Sequence, residues 1–251
     1  MDRKTLLFLS FIIFITGCIG SSREIKVDIN NGLQFNEFSV DINDIFDEEH
    51  VKFFLEVENV GGTTAENIES QFFGSISSWK EGTQPIQKKN LGTGNKLSPP
   101  IIDTSIPGEF AIASWDLTSP DLPQGISQNY DLGVRVRYDY TTSSITPIDV
   151  ISYDRFDELR KKGEFSQSNV VTKNSNAPIK ISLDLLSPVR ANSDDTLSKA
   201  VTLKISNAGS GIAFGRSSTT NKFTYPDKNT LGVIKVNVNL VSEIYELDCP
   251  N

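Results

Sequence analysis

The sequence has 251 residues, and its 24 lysines and arginines against 32 aspartates and glutamates give a net charge of −8. A surface that binds nucleic-acid phosphates requires the opposite sign, so the composition argues against a nucleic-acid partner. The chain has one histidine and two cysteines, Cys18 and Cys249. This count excludes a zinc site built on several histidines, a cysteine metal cluster and a disulfide framework.

The first 18 residues have the pattern of an export signal. Arg3 and Lys4 precede an apolar run from Leu6 to Ile15, and a small-residue segment then ends at Cys18. The run has the length of a signal-peptide core and is far shorter than the roughly 20 apolar residues of a transmembrane helix. Because the basic residues keep the N-terminus in the cytoplasm, the pattern predicts that the rest of the chain is extracytoplasmic.

The segment Ile15-Thr16-Gly17-Cys18 resembles the lipobox of prokaryotic lipoproteins. The resemblance implies that Cys18 becomes the first mature residue and carries lipid on its sulfur. Stable attachment then needs at least two acyl or isoprenoid chains. Two other interpretations stay open: residues 1–18 remain as an uncleaved anchor, or they are removed without lipid addition. Both anchored forms place the chain on the extracytoplasmic face of the cell membrane.

After a polar tether over residues 19–24, residues 25–152 alternate between strand-like segments and turns. The two clearest strands run from His50 to Glu58 and from Tyr130 to Tyr140, with apolar side chains at every second position. This period is typical of a strand with one buried face. Further strands are predicted at residues 24–29, 33–42, 65–73, 110–117 and 145–151. Seven or more short strands with frequent turns predict a β-sandwich.

One helix is predicted, from Asp154 to Lys162. Asp154 can cap its start, and Gly163 can end it in the left-handed conformation. Two pairs of opposite charge four residues apart support it: Asp157 with Lys161, and Glu158 with Lys162. With few apolar residues, the helix is expected to be a connector packed on the first domain. A linker without structure follows at residues 166–177, so helix and linker together occupy residues 153–177.

A second β segment begins at Pro178 and repeats a pattern of the first. Each copy has an alternating strand followed by Asn, one residue and Gly, at Asn59-Val60-Gly61 and at Asn207-Ala208-Gly209. Asn and Gly readily adopt the dihedral angles of a chain reversal, so each motif predicts a turn after a core strand. The second segment has predicted strands at residues 179–186, 200–206, 212–214 and 231–241. The match suggests two copies of one domain type.

The strand–Asn–x–Gly–strand pattern resembles the CARDB-type Ig-like modules of archaeal and bacterial surface proteins. In the first copy, Trp115, the segment Leu122-Pro-Gln-Gly and Tyr130 also resemble the tyrosine corner of Ig-like sandwiches, whose Tyr hydroxyl holds the preceding loop. The resemblance implies an all-β fold of tandem Ig-like β-sandwiches over residues 25–152 and 178–251, the second small or incomplete. It implies no catalytic residues, since such modules mostly act as spacers or binding modules.

One group of acidic residues is a candidate Ca²⁺ site: Asp41, Asp44, Asp47, Glu48 and Glu49. Carboxylate oxygens suit Ca²⁺, but the spacing differs from that of an EF-hand, and a solvated acidic turn explains the group more simply. A Ser-His-Asp triad would have to use His50, which opens a core strand. The sequence therefore predicts no enzyme and no cofactor.

The sequence favours a non-catalytic surface interaction or spacer module, attached to the membrane through its N-terminus, with another surface protein as partner. Strand addition at an incomplete second domain is the expected mode of binding. The alternative is a substrate-capturing lipoprotein of a transport system. The scarcity of predicted helices argues against that alternative. A pocket lined by Trp79 or Trp115 together with carboxylates would favour it.

Overall fold

A computed structural model describes residues 25–192, 197, 199–215 and 230–242. Over these residues the fold is all-β, as the sequence predicts, with one α-helix and several antiparallel sheets. The predicted signal segment, with Cys18, lies outside the described residues, and so does Cys249. No helix in the described part of the chain is long and apolar enough to cross a membrane.

The first half of the chain forms two sheets from nine strands. In chain order these are β1 (Leu33–Val40), β2 (His50–Asn59), β3 (Ala65–Gly74), β4 (Lys80–Glu81), β5 (Gln84–Pro85), β6 (Lys89–Asn90), β7 (Lys96–Leu97), β8 (Phe110–Thr118) and β9 (Leu132–Asp139). One sheet has the order β1-β2-β8-β4-β5. In the other, β3 pairs with β6, β7 and β9. A short 3-10 helix over Ile102–Thr104 precedes β8.

The core lies between the two sheets because alternate side chains of each strand point inward. From β2, the four apolar residues Val51, Phe53, Leu55 and Val57 are buried, as the alternation predicts. They belong to the same buried cluster as Ile68 of β3. Full burial of an aliphatic or aromatic side chain stabilises a fold by about 1.5–3 kcal/mol, so this cluster holds the sheets together.

The expected tyrosine corner at Tyr130 differs from the structure. Tyr130 precedes β9, and its hydroxyl contacts the Gln128 side chain at 3.4 Å rather than the backbone of the preceding loop. Tyr140 makes the bridging contacts instead. Its hydroxyl accepts a hydrogen bond from the Thr63 amide at 3.1 Å and donates to the Asn176 carbonyl at 3.4 Å. Tyr140 thus joins the turn after β2 to the chain just before the second segment.

The described residues of the second half contain one helix and eight strands in small sheets. In chain order these are β10 (Ser144–Ile145), β11 (Val150–Ile151), α1 (Tyr153–Lys162), β12 (Ser168–Asn169), β13 (Lys173–Asn174), β14 (Ile179–Asp184), β15 (Leu186–Ser187), β16 (Val189–Arg190) and β17 (Thr202–Asn207). The pairs are β10 with β13, β11 with β16, β12 with β15, and β14 with β17. Only β11 and β16 are parallel.

Three local predictions for this half are wrong. Residues 145–151 were expected to close the first sandwich, but β10 and β11 pair with strands of the second half. The expected linker at residues 166–177 contains β12 and β13. The expected strand at residues 231–241 is absent from the described residues there, where only Leu231 forms a bridge, to Phe214. Periodicity identifies the strand type but not its partner, which is a long-range property.

The helix is placed as predicted but begins with a different cap. The hydroxyl of Ser152, rather than the carboxylate of Asp154, accepts a hydrogen bond from the Arg155 amide at 3.3 Å. The helix ends at Gly163, which has a φ of 72°. Both predicted ion pairs form, at 2.5 Å and 2.6 Å. The Phe156 ring lies 4.7 Å from the Arg190 guanidinium, so the observed packing is on the second half rather than on the first sandwich.

Candidate binding groove

A groove of about 1270 Å³ lies at one end of the first sandwich. Its walls are two loops, residues 41–49 between β1 and β2 and residues 119–131 between β8 and β9. Trp79 lies in the lining, just before β4. We call this feature the end groove. Loops at the end of a β-sandwich are held by rigid strands, which makes this a common place for a binding site.

The floor of the end groove rests on an aromatic cluster of the core. Trp79 is only 5% exposed. Its ring meets Phe53 and Tyr130 edge to face, with centroids 6.3 Å and 5.5 Å apart. Phe53 contacts Phe72 in the same way at 5.3 Å. Such contacts add to the energy of burial, so the floor is expected to be rigid.

The two walls are joined to each other by Ser119. Its hydroxyl donates to the Phe46 carbonyl at 2.8 Å and accepts a hydrogen bond from the Glu49 amide at 3.0 Å. Glu49 in turn accepts a hydrogen bond from the Phe46 amide through its carboxylate, at 2.8 Å. These bonds brace a loop that has few buried side chains, so they stabilise this wall of the groove.

Three carboxylates line the end groove: Asp44, Asp47 and Asp131. All three are exposed. None of the described residues that line the groove is a lysine, arginine or histidine. The lining also has large apolar residues, of which Phe46 is 80% exposed and Ile126 is 58% exposed. The groove is therefore both anionic and apolar.

The Trp79 indole nitrogen is the one polar atom of the floor with an unmet requirement. It is buried and donates to no acceptor among the described residues. Buried donors are nearly always paired, because an unpaired one costs about 1–3 kcal/mol. The other tryptophan, Trp115, donates to the Gln87 carbonyl at 3.2 Å and is fully satisfied. This difference separates Trp79, beside a groove, from Trp115, a core residue.

The acidic residues of the weak Ca²⁺ candidate have different positions and roles. Asp41 accepts a hydrogen bond from the Lys52 amide at 2.8 Å and so braces the start of the loop. Glu48 occupies a turn position with a φ of 56°. In the described parts of the chain, no three His, Cys, Asp or Glu side chains are grouped so that they could hold a metal ion. Asp44 and Asp47 line the end groove instead.

A second hollow, of about 530 Å³, lies beside the Gly92–Leu97 turn and β8. Its only carboxylate, Glu109, already accepts a hydrogen bond from the Ser98 amide at 2.7 Å. Its floor has no tryptophan or tyrosine. The end groove is therefore the better candidate for a binding site.

Sequence reasoning identified part of this site. It named Trp79 and the acidic loop separately but did not bring them together with residues 119–131. Those loop residues carry a usable signal, since Pro120, Pro123 and Gly125 mark an irregular connection between two strong strands. Which end of the sandwich that connection occupies depends on the pairing of β2 with β8.

No protein-family model, curated protein or solved structure matches the chain. The comparisons therefore add no family to the observations on fold and groove, and the resemblance to CARDB-type modules stays a prediction.

Proposed function

We propose that this protein is a non-catalytic, membrane-anchored extracytoplasmic interaction protein, and that the end groove is its binding face. The observation that supports the proposal is the lining of the groove. Free carboxylates, exposed apolar side chains and an unpaired tryptophan donor lie together on a rigid floor. Exposed apolar groups next to convergent polar groups are characteristic of interaction surfaces.

The anchor in this proposal is the N-terminal segment, with lipid on Cys18. Fractionation of cells that express the full chain tests it. We expect the wild type in the membrane fraction, with lipid label and accessible to protease added outside the cells, and Cys18→Ala without lipid label. Protein that is inaccessible to external protease would contradict the extracytoplasmic location. Wild type that stays in the membrane fraction without lipid label would favour the uncleaved anchor.

A substrate-capturing lipoprotein is the second candidate, because Trp79 and carboxylates line one pocket. Pockets for small molecules usually have volumes of about 300–1,000 Å³. The end groove is larger, at about 1270 Å³, and its rim carries the exposed Phe46 and Ile126. The size and the apolar rim favour a macromolecular partner over a small transported substrate.

Binding by the end groove is tested with matched variants of the membrane-anchored chain. The groove variant combines Phe46→Ser with Ile126→Ser. The control combines Ile145→Ser with Val171→Ser, which removes two exposed apolar residues outside the groove. Surface proteins are cross-linked on intact cells and recovered with the chain. We expect a partner that the wild type and the control recover equally and that the groove variant loses. Equal recovery by all three would contradict the proposal.

A further inference from the structure

We infer that the end groove takes a basic polypeptide segment of another surface protein, with lysine or arginine side chains beside apolar ones. This inference rests on the proposed function and adds the chemistry of the ligand. Three properties of the groove support the inference: its charge, its exposed apolar rim and the unpaired hydrogen-bond donor of its floor.

The charge of the groove is negative and uncompensated. Asp44, Asp47 and Asp131 make no side-chain hydrogen bond or ion pair within the described residues. Acidic residues nearby are used differently, since Asp41 and Glu49 brace the loop through backbone amides. Three free carboxylates with no cation in the lining attract a cationic partner and repel an acidic one.

The rim of the groove matches the stems of basic side chains. Phe46 and Ile126 expose apolar surface next to the carboxylates, and Ile42 is 46% exposed in the same lining. Lysine and arginine carry an apolar stem and a charged end, so one side chain can cover this surface and reach a carboxylate. An arginine can also lie on the exposed Phe46 ring. An apolar ligand without charge would leave the carboxylates unpaired.

The floor of the groove requires a hydrogen-bond acceptor. The Trp79 indole nitrogen is buried and has no acceptor among the described residues, and a backbone carbonyl of a bound peptide that reaches the floor would supply one. The groove is also large enough for several residues of an extended chain. A basic peptide therefore satisfies charge, apolar surface and donor together.

A random hexapeptide library displayed on a surface tests the inference against the full extracytoplasmic chain. Selection is done on the wild type and on a variant with Asp44→Asn and Asp47→Asn. The control variant has Asp103→Asn and Asp149→Asn, two exposed carboxylates outside the groove. We expect selected peptides to contain Lys or Arg together with apolar residues. The groove variant should bind them about tenfold more weakly, and the control should bind them as the wild type does.

The possible results separate the inference from the proposed function. Neutral or acidic peptides, or basic peptides that bind the groove variant as tightly as the wild type, would overturn the inference. A glycan array serves as the second measurement. Glycan binding that is lost with Phe46→Ser and Ile126→Ser would overturn the peptide ligand while leaving the groove as the binding face. If no peptide or glycan requires the groove, both proposals fail.

Discussion

The two Asn-x-Gly motifs have the same turn in very different surroundings. The side-chain oxygen of Asn59 accepts a hydrogen bond from the amide two residues on, at 3.1 Å, and Asn207 does the same at 3.1 Å. The side-chain nitrogen of each donates to the carbonyl four residues on, at 2.8 Å and 2.7 Å. The Asn side chain therefore builds the turn through contacts within five residues.

The strand pairs before the two turns also match. Leu33 of β1 pairs with Asn59, and Ile179 of β14 pairs with Asn207. The carbonyl just before β1 or β14 accepts two consecutive amides of the turn, at 2.9 Å and 3.2 Å in the first copy and 2.7 Å and 3.3 Å in the second. The two motifs thus share a strand pair and its turn, while a second copy of the whole domain stays a prediction.

The two copies differ in the strands that pair with them and in how far their side chains are buried. β2 pairs with β1 on one edge and β8 on the other, whereas β17 pairs only with β14 in the described part of the chain. Leu55 of β2 is fully buried, and its counterpart Leu203 of β17 is 38% exposed. The local sequence thus specifies the turn, and distant strands decide whether it becomes a core. The closed first copy gives the end groove its rigid floor.

The largest expected difference between the two copies is in the stability lost when the equivalent leucines, Leu55 and Leu203, are replaced by alanine. Leu55→Ala leaves a cavity in a closed core and should lower the free energy of unfolding by about 3 kcal/mol. Leu203→Ala removes a side chain that is already partly in water and should cost less than about 1 kcal/mol. Urea unfolding of a chain of residues 19–251, followed by tryptophan fluorescence and by circular dichroism, measures both. Equal losses would show that the second copy is closed too.

A smaller difference is expected for the asparagines. Asn59 is buried and also donates to the Leu97 carbonyl at 2.7 Å, which joins β2 to β7. Asn59→Ala leaves the buried Leu97 carbonyl without this donor and should cost about 2 kcal/mol. Asn207 is exposed, so water replaces its partners, and Asn207→Ala should cost about 0.5 kcal/mol. Thermal unfolding of the two variants checks this. An equal shift in Tm would contradict the difference in burial.

The N-terminus of helix α1, between the two copies, gives another prediction with a small expected change in stability. Ser152→Ala removes the hydrogen bond to the Arg155 amide and should cost about 1 kcal/mol, whereas Asp154→Ala should cost less because its carboxylate is not the cap. The sequence alone favoured the opposite order. Urea unfolding of the two variants decides it. A larger effect of Asp154→Ala would contradict the observed cap.

The smallest effect concerns pH at the start of the first copy. Hydrogen bonds from the Asn30 amide and the Asn31 side chain hold the pKa of Asp28 below its usual range. A depressed pKa adds stability above the unfolded-state pKa, near 4, and this stability is lost as pH falls through the folded-state value. At pH 6 the free energy of unfolding of the wild type should exceed that of Asp28→Asn by under about 1 kcal/mol. This difference should disappear towards pH 2.

Asp103→Asn is the control for that pH series, since Asp103 is exposed on the short 3-10 helix. The difference between the wild type and Asp28→Asn is compared with that for Asp103→Asn at each pH. An equal pH dependence of the two differences would contradict the depressed pKa of Asp28.

Sequence reasoning succeeded where the signal is local. Alternation over His50–Glu58 predicted a core strand, and the motif at Asn59 predicted its turn. It failed where partners decide the outcome. Residues 145–151 have the period of a strand, but their partners lie in the second half of the chain. The end groove joins Asp44 to Tyr130, residues far apart in sequence, so no local pattern could show it. Tyr140, rather than Tyr130, has the bridging role for the same reason.

Hydrogen–deuterium exchange on a chain of residues 19–251, at a concentration where it is monomeric, compares β2 and β17 most directly. If the first copy is closed and the second open, amides along both edges of β2 should be strongly protected. Amides of β17 that point away from β14 should exchange nearly as fast as those of exposed loops. Protection of β17 equal to that of β2 would contradict the difference between the two copies.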